Sequence, residues 1–362
     1  MPDSADLISD IEVIKQRKKE GIDIPLTKNV QAKSTTTFLE FVKLIHNALP
    51  ELNLEEIDTT CSFLKHSFSA PIIIDCMTGG TPEATKINLR LGQIAEKFQL
   101  CMGVGSQRAG LKSNDLRDTY HVARANAPNA FLIANIGGAQ LSKGLSIDEV
   151  EKIIEMISAN ALAIHLNPLQ ELIQPEGEPK YSGVLAKITE LCKSLKIPVI
   201  VKEVGAGISK DVASKLESSG ISAINVAGSG GTSWAGVEKE RAQEVGNQIK
   251  THLGELFWDW GIPTALSLIE VKKTVNIPII ASGGLRNGLE IAKCLALGAD
   301  TCALAYPFLK HASESFESLT KFTNTIITEL KSTMFLLGSK DISRLKKSRY
   351  ILTGDLAKVI LE

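Results

Sequence analysis

Four hydrogen-bonding side chains, His165, Asn167, Gln170 and Glu171, fall within seven residues in the stretch "AIHLNPLQELIQPEGEPKYSG" (163–183). An apolar run stops at Leu166, and Pro168, Pro175 and Pro179 stiffen the residues beyond it. A plain connector would be richer in Gly, Ser and Asn. Gln170 and Glu171 are adjacent oxygen ligands, and a lone Glu suits Mg2+, which keeps its waters and is completed by substrate phosphates. His165 and Asn167 are two apart, so strand geometry points them the same way, and both can donate to a phosphate or a reacting group. A polar cluster that merely ties down a long loop is the bland alternative. The density of such groups after an apolar strand favours chemistry.

Two glycine-rich stretches carry a second signal. "GSGGTS" (228–233) offers backbone N–H groups and the hydroxyls of Thr232 and Ser233, and "ASGGLRNGLEIAKCLALGADTCALA" (281–305) holds a Gly-Gly turn, a helix and a strand ending in small residues. Glycines let a backbone approach phosphate oxygens closely. Lys202 ends another apolar run. It could be a Schiff-base lysine, a phosphate clamp or the partner of an electron-rich ring. Arg108 is a further cation candidate, whereas Arg17-Lys18-Lys19 and "RLKKSR" (344–349) read as solvated charge runs when taken alone.

These groups need a scaffold. Eight short apolar runs recur at 71–77, 100–105, 130–136, 161–166, 198–204, 221–228, 277–284 and 299–305. Each is bounded by Pro, Gly or Asp, and most are followed by a stretch with helical apolar spacing, such as "EATKINLRLGQIAEKF" and "SIDEVEKIIEMISA". Strands alternating with helices in this number predict an α/β fold, a (β/α)8 TIM barrel with an N-terminal helical extension. A doubly wound open sheet would carry G-x-G-x-x-G after its first strand, and "MTGGTPEAT" does not match. Residues 1–70 form the extension, with "STTTFLEFVKLIHNAL" (34–49) expected to be helical. Residues 71–362 form the barrel, with an insertion at about 231–262 and a C-terminal helical tail. Barrel chemistry sits at the C-terminal strand ends. There the chain places Met77, Thr78 and Gly79, then Ser106, Asn135, the His165–Glu171 cluster, Lys202, Thr232, Gly283 and Gly284, and finally Leu304 and Ala305. Neutral donors and acceptors beside a lysine suit a planar heterocycle with polar edges, which points to flavin mononucleotide with its phosphate at the late glycines.

Composition narrows the classes. With 40 basic and 41 acidic residues the formal charge is −1, so no global field attracts nucleic acid. No apolar run approaches the roughly 18–20 residues of a membrane helix, and the acidic N-terminus "MPDSADLISD" argues against a secretory signal. The six cysteines are scattered without a C-x-x-C pair, as expected of free thiols in a reducing compartment. The expectation is a soluble, cytoplasmic protein without a nucleic-acid or membrane partner.

Taken in order, "MTGG", "GVGSQR", "ANIGG", "HLNPLQELIQPEGE", "VKEVGAGIS", "GGTSW" and "SGGLRNGLEIAKCLALGAD" resemble type 2 isopentenyl diphosphate isomerases, from about residue 11 to "LTGD" near the C-terminus. The resemblance implies FMN, active when reduced, with NADPH as reductant, Mg2+, and a diphosphate substrate. It places Met77, Thr78, Gly79, Ser106, Asn135, Lys202, Thr232, Gly283, Gly284, Leu304 and Ala305 around the flavin. Arg17, Lys18, Arg108, His165, Asn167 and Gln170 would contact substrate, and Glu171 would hold Mg2+. Gln170 and Glu238 are the catalytic candidates. Gln170 would position the alkene end while the reduced flavin carries most of the proton transfer. The insertion after strand six would bring Trp234 and Glu238, a possible second group, near the site. A homo-oligomer, tetramer or octamer, is also implied. Two positions depart from the family pattern: Gly21 follows Arg17-Lys18 where a His is usual, and Cys76 precedes Met77 where a Gly is usual. An FMN-dependent oxidoreductase on the same barrel is the alternative, and a non-catalytic flavin- or phosphate-binding barrel the weaker one.

Overall fold

The computed structural model of the chain describes residues 4–361, with side chains from 12 to 360. An N-terminal helix, α1 (Ser4–Thr27), leads into the short strands β1 (Val42–Leu44), β2 (Cys61–Phe63) and β3 (His66–Phe68). Then β4 (Ile72–Ile74), β5 (Cys101–Gly103), β6 (Leu132–Gly137), β7 (Ala161–His165), β8 (Val199–Lys202), β9 (Ala223–Asn225), β10 (Ile279–Ala281) and β11 (Thr301–Leu304) follow. These eight close into an all-parallel barrel, with β11 pairing β4. Seven fall inside the apolar runs read from the sequence, and β6 runs one residue past its run, to Gly137. The connecting helices are α2 (Pro82–Phe98), α3 (Asn114–Asn126), α4 (Gly138–Leu141), α5 (Ile147–Met156), α6 (Pro168–Ile173), α7 (Val184–Ser194) and α8 (Lys210–Ser218). The expected insertion after β9 forms α9 (Trp234–Glu244) and α10 (Gln248–Leu256). The chain then adds α11 (Thr264–Thr274), α12 (Gly288–Ala296), α13 (Tyr306–Glu314), α14 (Phe316–Leu336), α15 (Ile342–Leu345), β12 (Tyr350–Leu352) and α16 (Gly354–Leu361). Among the described residues no helix is long and apolar enough to cross a membrane.

Alternation along each strand divides the core. Ile72, Ile74, Leu132, Leu162, Ile164, Val199 and Val201 pack outward with the helices. Ile73, Cys101, Ile133, Ala161, Ala163, Ile200, Ala223, Ile280 and Ala303 fill the barrel interior. The β2–β3 hairpin plugs the lower end with Phe63 and Phe68, and the Phe68 and Phe131 rings meet edge to face at 5.8 Å. Two residues above the apolar layer the same inward parity brings Asp75, Asn135, His165, Lys202, Asn225 and Ser282 to the upper end.

Two expectations fail. Residues 34–49 are not a helix: after a short 3-10 turn at Leu39–Phe41, β1 pairs antiparallel with β12, with Val42 opposite Leu352. The tail is therefore not all helical, since it supplies that partner strand. Of "RLKKSR", Arg344, Lys347 and Arg349 are exposed as expected, whereas Leu345 is buried and Lys346 pairs with Asp300 at 2.6 Å.

The plug gives the fold's clearest stability test. Phe68 is 5% exposed, so Phe68→Ala is expected to cost about 3–5 kcal/mol through lost burial and the cavity left behind. Equilibrium denaturation measures it, and a loss below about 1 kcal/mol would mean that the hairpin is not part of the core.

Candidate active site

One pocket at the upper end of the barrel gathers most of the residues singled out from the sequence. Met77, Thr78, Ser106, Asn135, Lys202, Thr232, Gly283, Gly284, Leu304 and Ala305 line it. So do Arg17, Lys18, His165, Asn167, Gln170, Glu171 and Glu238. Gly79 and Arg108 do not. Gly79 packs against the Tyr120 ring, where a Cβ would have no room, and Arg108 stands close enough to act on Lys18 through its charge.

The floor is a set of paired polar groups. Lys202 Nζ lies 3.6 Å from Asp75 Oδ2 and donates to the Glu203 carbonyl at 2.9 Å. The Glu203 carboxylate accepts from the N–H groups of Val204 and Gly205 at 2.6 Å and Ala206 at 2.5 Å. Burial outweighs those bonds and pushes its pKa up to about 7. Asn135 accepts from His165 Nδ1 at 2.7 Å and bonds the Cys76 thiol with its amide. Burial, followed by the charges of Lys202, Lys18 and Arg17, pushes the His165 pKa down to about 3. His165 is therefore neutral, with its Nδ1–H donated to Asn135. Cys76, pushed up to about 12 chiefly by burial, is a protonated thiol.

The segment after β7 is helical rather than an open loop. Pro168 opens α6 at its first turn and fixes the direction in which Gln170 and Glu171 project. Asn167 is 4% exposed and committed on both sides: Tyr181 Oη donates to its Oδ1 at 2.8 Å, and its Nδ2 donates to Gln170 Oε1 at 3.0 Å. Gln170 Nε2 in turn donates to Glu238 Oε1 at 2.8 Å. Both atoms of the Gln170 amide are thus oriented by neighbours. Burial raises the Glu238 pKa, while Arg241 and Gln170 oppose that shift.

Cations come from α1. Lys18 Nζ donates to the Ser106 carbonyl at 2.9 Å. Burial, then Arg17 and Arg108, push its pKa down to about 7. Gly21, one turn further along α1, faces the Trp234 ring, where a Cβ would make an ordinary contact at 4.0 Å.

Two features test whether FMN fits. Thr78 Oγ1 is buried without a hydrogen-bond partner, an unpaired polar atom of the kind a ligand satisfies. On the other side, Gly283 and Gly284 adopt φ of 99° and 75°, and a Cβ on Gly231 would stand 2.6 Å from Gly284 Cα. This close-packed glycine turn faces the start of α13, which Ala305 leaves without a side-chain cap. Pro307 has no N–H, so the donors available to an anion there are the N–H groups of Tyr306 and Phe308. A phosphate fits there and a polar ring edge fits at Thr78. For Mg2+ the donor set is smaller. Glu171 Oε2 is held by the Glu178 N–H at 3.0 Å, and among the described residues no cluster of three or more metal-ligating side chains exists. Glu171 suits a magnesium ion completed by water and a diphosphate, not a self-sufficient metal centre.

Sequence reasoning passed over Asp75, Arg241, Arg286 and Tyr306, which also line the pocket. Asp75 was within reach, because it shares the parity of Ile73. Arg286 follows the Gly283-Gly284 turn closely and lies 5.2 Å from the Tyr306 ring. Arg241 stands three residues after Glu238, a spacing at which opposite charges meet on a helix.

Known proteins bear on this geometry at three levels. Residues 166–352 match the family model described as FMN-dependent dehydrogenase. Among solved structures, a mandelate oxidase superposes with a TM-score of 0.62 at 14% identity, covering 95% of this chain and 100% of that one. A putative lactate oxidase from Pediococcus acidilactici gives 0.63 at 14%, covering 95% and 94%. At such identity the likeness is one of fold. Isopentenyl-diphosphate delta-isomerases are much nearer. That of Methanosarcina mazei is 46% identical, covering 95% of this chain and 93% of the relative. The Nostoc enzyme is 46% identical with 94% and 96% covered, and that of Methanoregula boonei 51% with 86% and 87%. With this identity sustained along almost the whole chain, on an FMN-dependent dehydrogenase type of barrel, the chain belongs to the isopentenyl-diphosphate delta-isomerase family.

Proposed function

We propose that the protein interconverts isopentenyl diphosphate and dimethylallyl diphosphate by a 1,3-allylic proton shift, with reduced FMN, Mg2+ and NADPH as reductant. The observation that carries this reading is the arrangement of one pocket. It holds the oriented Asn167–Gln170–Glu238 chain, the cations Arg17 and Lys18, and a glycine cradle beside the orphaned Thr78 hydroxyl. Bound in reduced form, FMN supplies an electron-rich ring able to hold a proton and to stabilise positive charge. The rest is done by the chain. Lys202, Asn135 and Thr78 orient the ring, and the Gly283–Gly284 turn and the start of α13 take its phosphate. Arg17 and Lys18 bind the diphosphate, with Arg108 adding to their field, and Glu171 holds Mg2+ against it. Gln170 positions the alkene. One proton is added at one end of the three-carbon allylic unit and another is removed from the other end. Glu238 would serve one of these transfers as a second group beside the reduced flavin, the main proton carrier.

An FMN oxidoreductase of the hydroxy-acid type would need a His base beside an Arg on late strands. Here His165 ends the fourth barrel strand, neutral and committed to Asn135. Free cysteines support a reducing, cytoplasmic setting, and assembly into a tetramer or octamer is the family expectation.

The reading is tested by purifying the protein and measuring its flavin spectrum. Deuterium uptake from heavy water into isopentenyl diphosphate is then followed with Mg2+, with and without reductant. Flavin-dependent exchange that needs reductant is expected, and no exchange under reducing conditions would overturn the assignment. Within the site, Glu238→Gln is expected to lower kcat by about 10²–10⁴-fold, the usual contribution of a proton-transfer group, with flavin affinity unchanged. Gln170→Glu should lower it less. Wild-type rates in both would remove these side chains from the chemistry.

Lys18 gives a pH test whose sign follows from its depressed pKa. Below about 7 the lysine is charged and attracts an anion; above it the charge must be regained on binding. The ratio of pyrophosphate Kd in Lys18→Met to that in wild type should therefore be roughly tenfold at pH 6 and fall toward one by pH 9. The ligand's own titration cancels in the ratio, and a pH-independent ratio would contradict the assignment. For the fold the same shift acts in the opposite sense: between about 7 and the ordinary 10.5 the unfolded chain binds the extra proton, so stability rises with pH through that window.

A further inference from the structure

Arg241 is 8% exposed, and its guanidinium is divided among three carboxylates, one per nitrogen. Nε donates to Glu20 at 2.6 Å, Nη1 to Glu238 at 2.7 Å and Nη2 to Glu176 at 2.9 Å. The three acids belong to three separate pieces of chain. Glu20 lies on α1, two and three residues beyond Lys18 and Arg17. Glu176 lies just past α6, which carries Gln170 and Glu171. Glu238 lies on α9 itself. Nothing in the barrel's strand pairing holds α1 or the 174–178 segment in place. Besides the clasp, Ile24 of α1 packs in a small apolar cluster with Val237 of α9, and Lys28, just past α1, pairs with Glu240 and Glu244 in a partly exposed contact of modest strength.

We propose that Arg241 is a positioning residue. It is a clasp that holds α1 and the segment after α6 together over the pocket and fixes the Glu238 carboxylate against Gln170. The planar, always-charged fork suits this task, because each nitrogen addresses a different partner at a fixed angle. One cation facing three carboxylates also means that removing it leaves mutual repulsion where there was attraction. The three pieces should then separate rather than relax in place. The clasp would couple the residues that receive the diphosphate to the residues at the reacting carbons. What it couples rests on the isomerase reading; the clasp itself rests only on the contacts.

Amide hydrogen exchange on the full-length protein tests it, with Glu20→Gln and Glu176→Gln beside Arg241→Met. Arg241→Met is expected to speed exchange at least tenfold in both 12–27 and 174–178, while 132–137 and 161–165 stay protected. Glu20→Gln should loosen only the first segment and Glu176→Gln only the second, which keeps the test open if the Arg241 variant does not fold. In steady state Glu20→Gln should raise KM for isopentenyl diphosphate about tenfold with a much smaller change in kcat, whereas Arg241→Met should change both. Unchanged exchange in both segments across the variants, or acceleration spread evenly over the barrel strands, would overturn the clasp. Absence of wild-type turnover would sink the isomerase reading and leave the exchange result to judge the clasp by itself.

Discussion

Strand parity is the constraint on which the site depends. Each barrel strand sends alternate residues inward, and the lower inward layer is apolar: Ile73, Ile133, Ala163, Ile200, Ala223 and Ile280. The next inward position on the same strands carries Asp75, Asn135, His165, Lys202, Asn225 and Ser282. The parallel register then sets His165 directly opposite Lys202, while Asn135 stands opposite Ala163, one inward step below His165. A slip of one residue would turn the polar layer against the surrounding helices and the helix-facing Ile164 and Val201 into the pocket. Folding the barrel and building the site are therefore one event.

A polar layer above an apolar one survives only if its members satisfy each other, because an unpaired buried charge is expensive. Lys202 faces Asp75, Glu203 collects three backbone N–H groups, Ser282 donates to Asn225 at 2.5 Å, and Asn135 joins His165 to Cys76. Each partner also removes a rotational freedom, so the groups are aimed before any ligand arrives. Thr78 Oγ1 is the exception within the pocket, and an exception inside an otherwise satisfied network marks where a partner belongs.

The legibility of the chain is governed by the same physics. The eight strands were legible because both of their faces are buried, which writes them as short apolar runs between breakers. The late glycines and the His165–Glu171 cluster were legible because few structural roles need them. The helix after β7 could have been read from Pro168 followed by Glu171 in its first turn. Residues 34–49 were misread for a physical reason. Phe38, Leu39, Phe41 and Val42 suit a helical spacing, and the partner that makes β1 a strand, Tyr350–Leu352, lies at the other end of the chain. Local pattern carries no trace of such a pairing. The network around Asn167 was half legible: the residues were visible as a group, but which of them hold others in place was not.

The pocket's charges form two sets, and together they restrict what it can hold. Burial, with Arg17 and Arg108 adding to it, depresses the Lys18 pKa, and burial, followed by the charges of Lys202, Lys18 and Arg17, keeps His165 neutral. Such a set is uncomfortable when empty and relieved by an anion of more than one charge. Around Glu238 the balance is reversed, with one guanidinium among three carboxylates. Positive charge developing next to Glu238 meets an environment already arranged for it. A simple phosphate ester would answer only the first set and a plain cation only the second. A diphosphate whose hydrocarbon end becomes electron-poor during reaction answers both, and the oriented Gln170 amide lies within the chain of contacts that ends on Glu238.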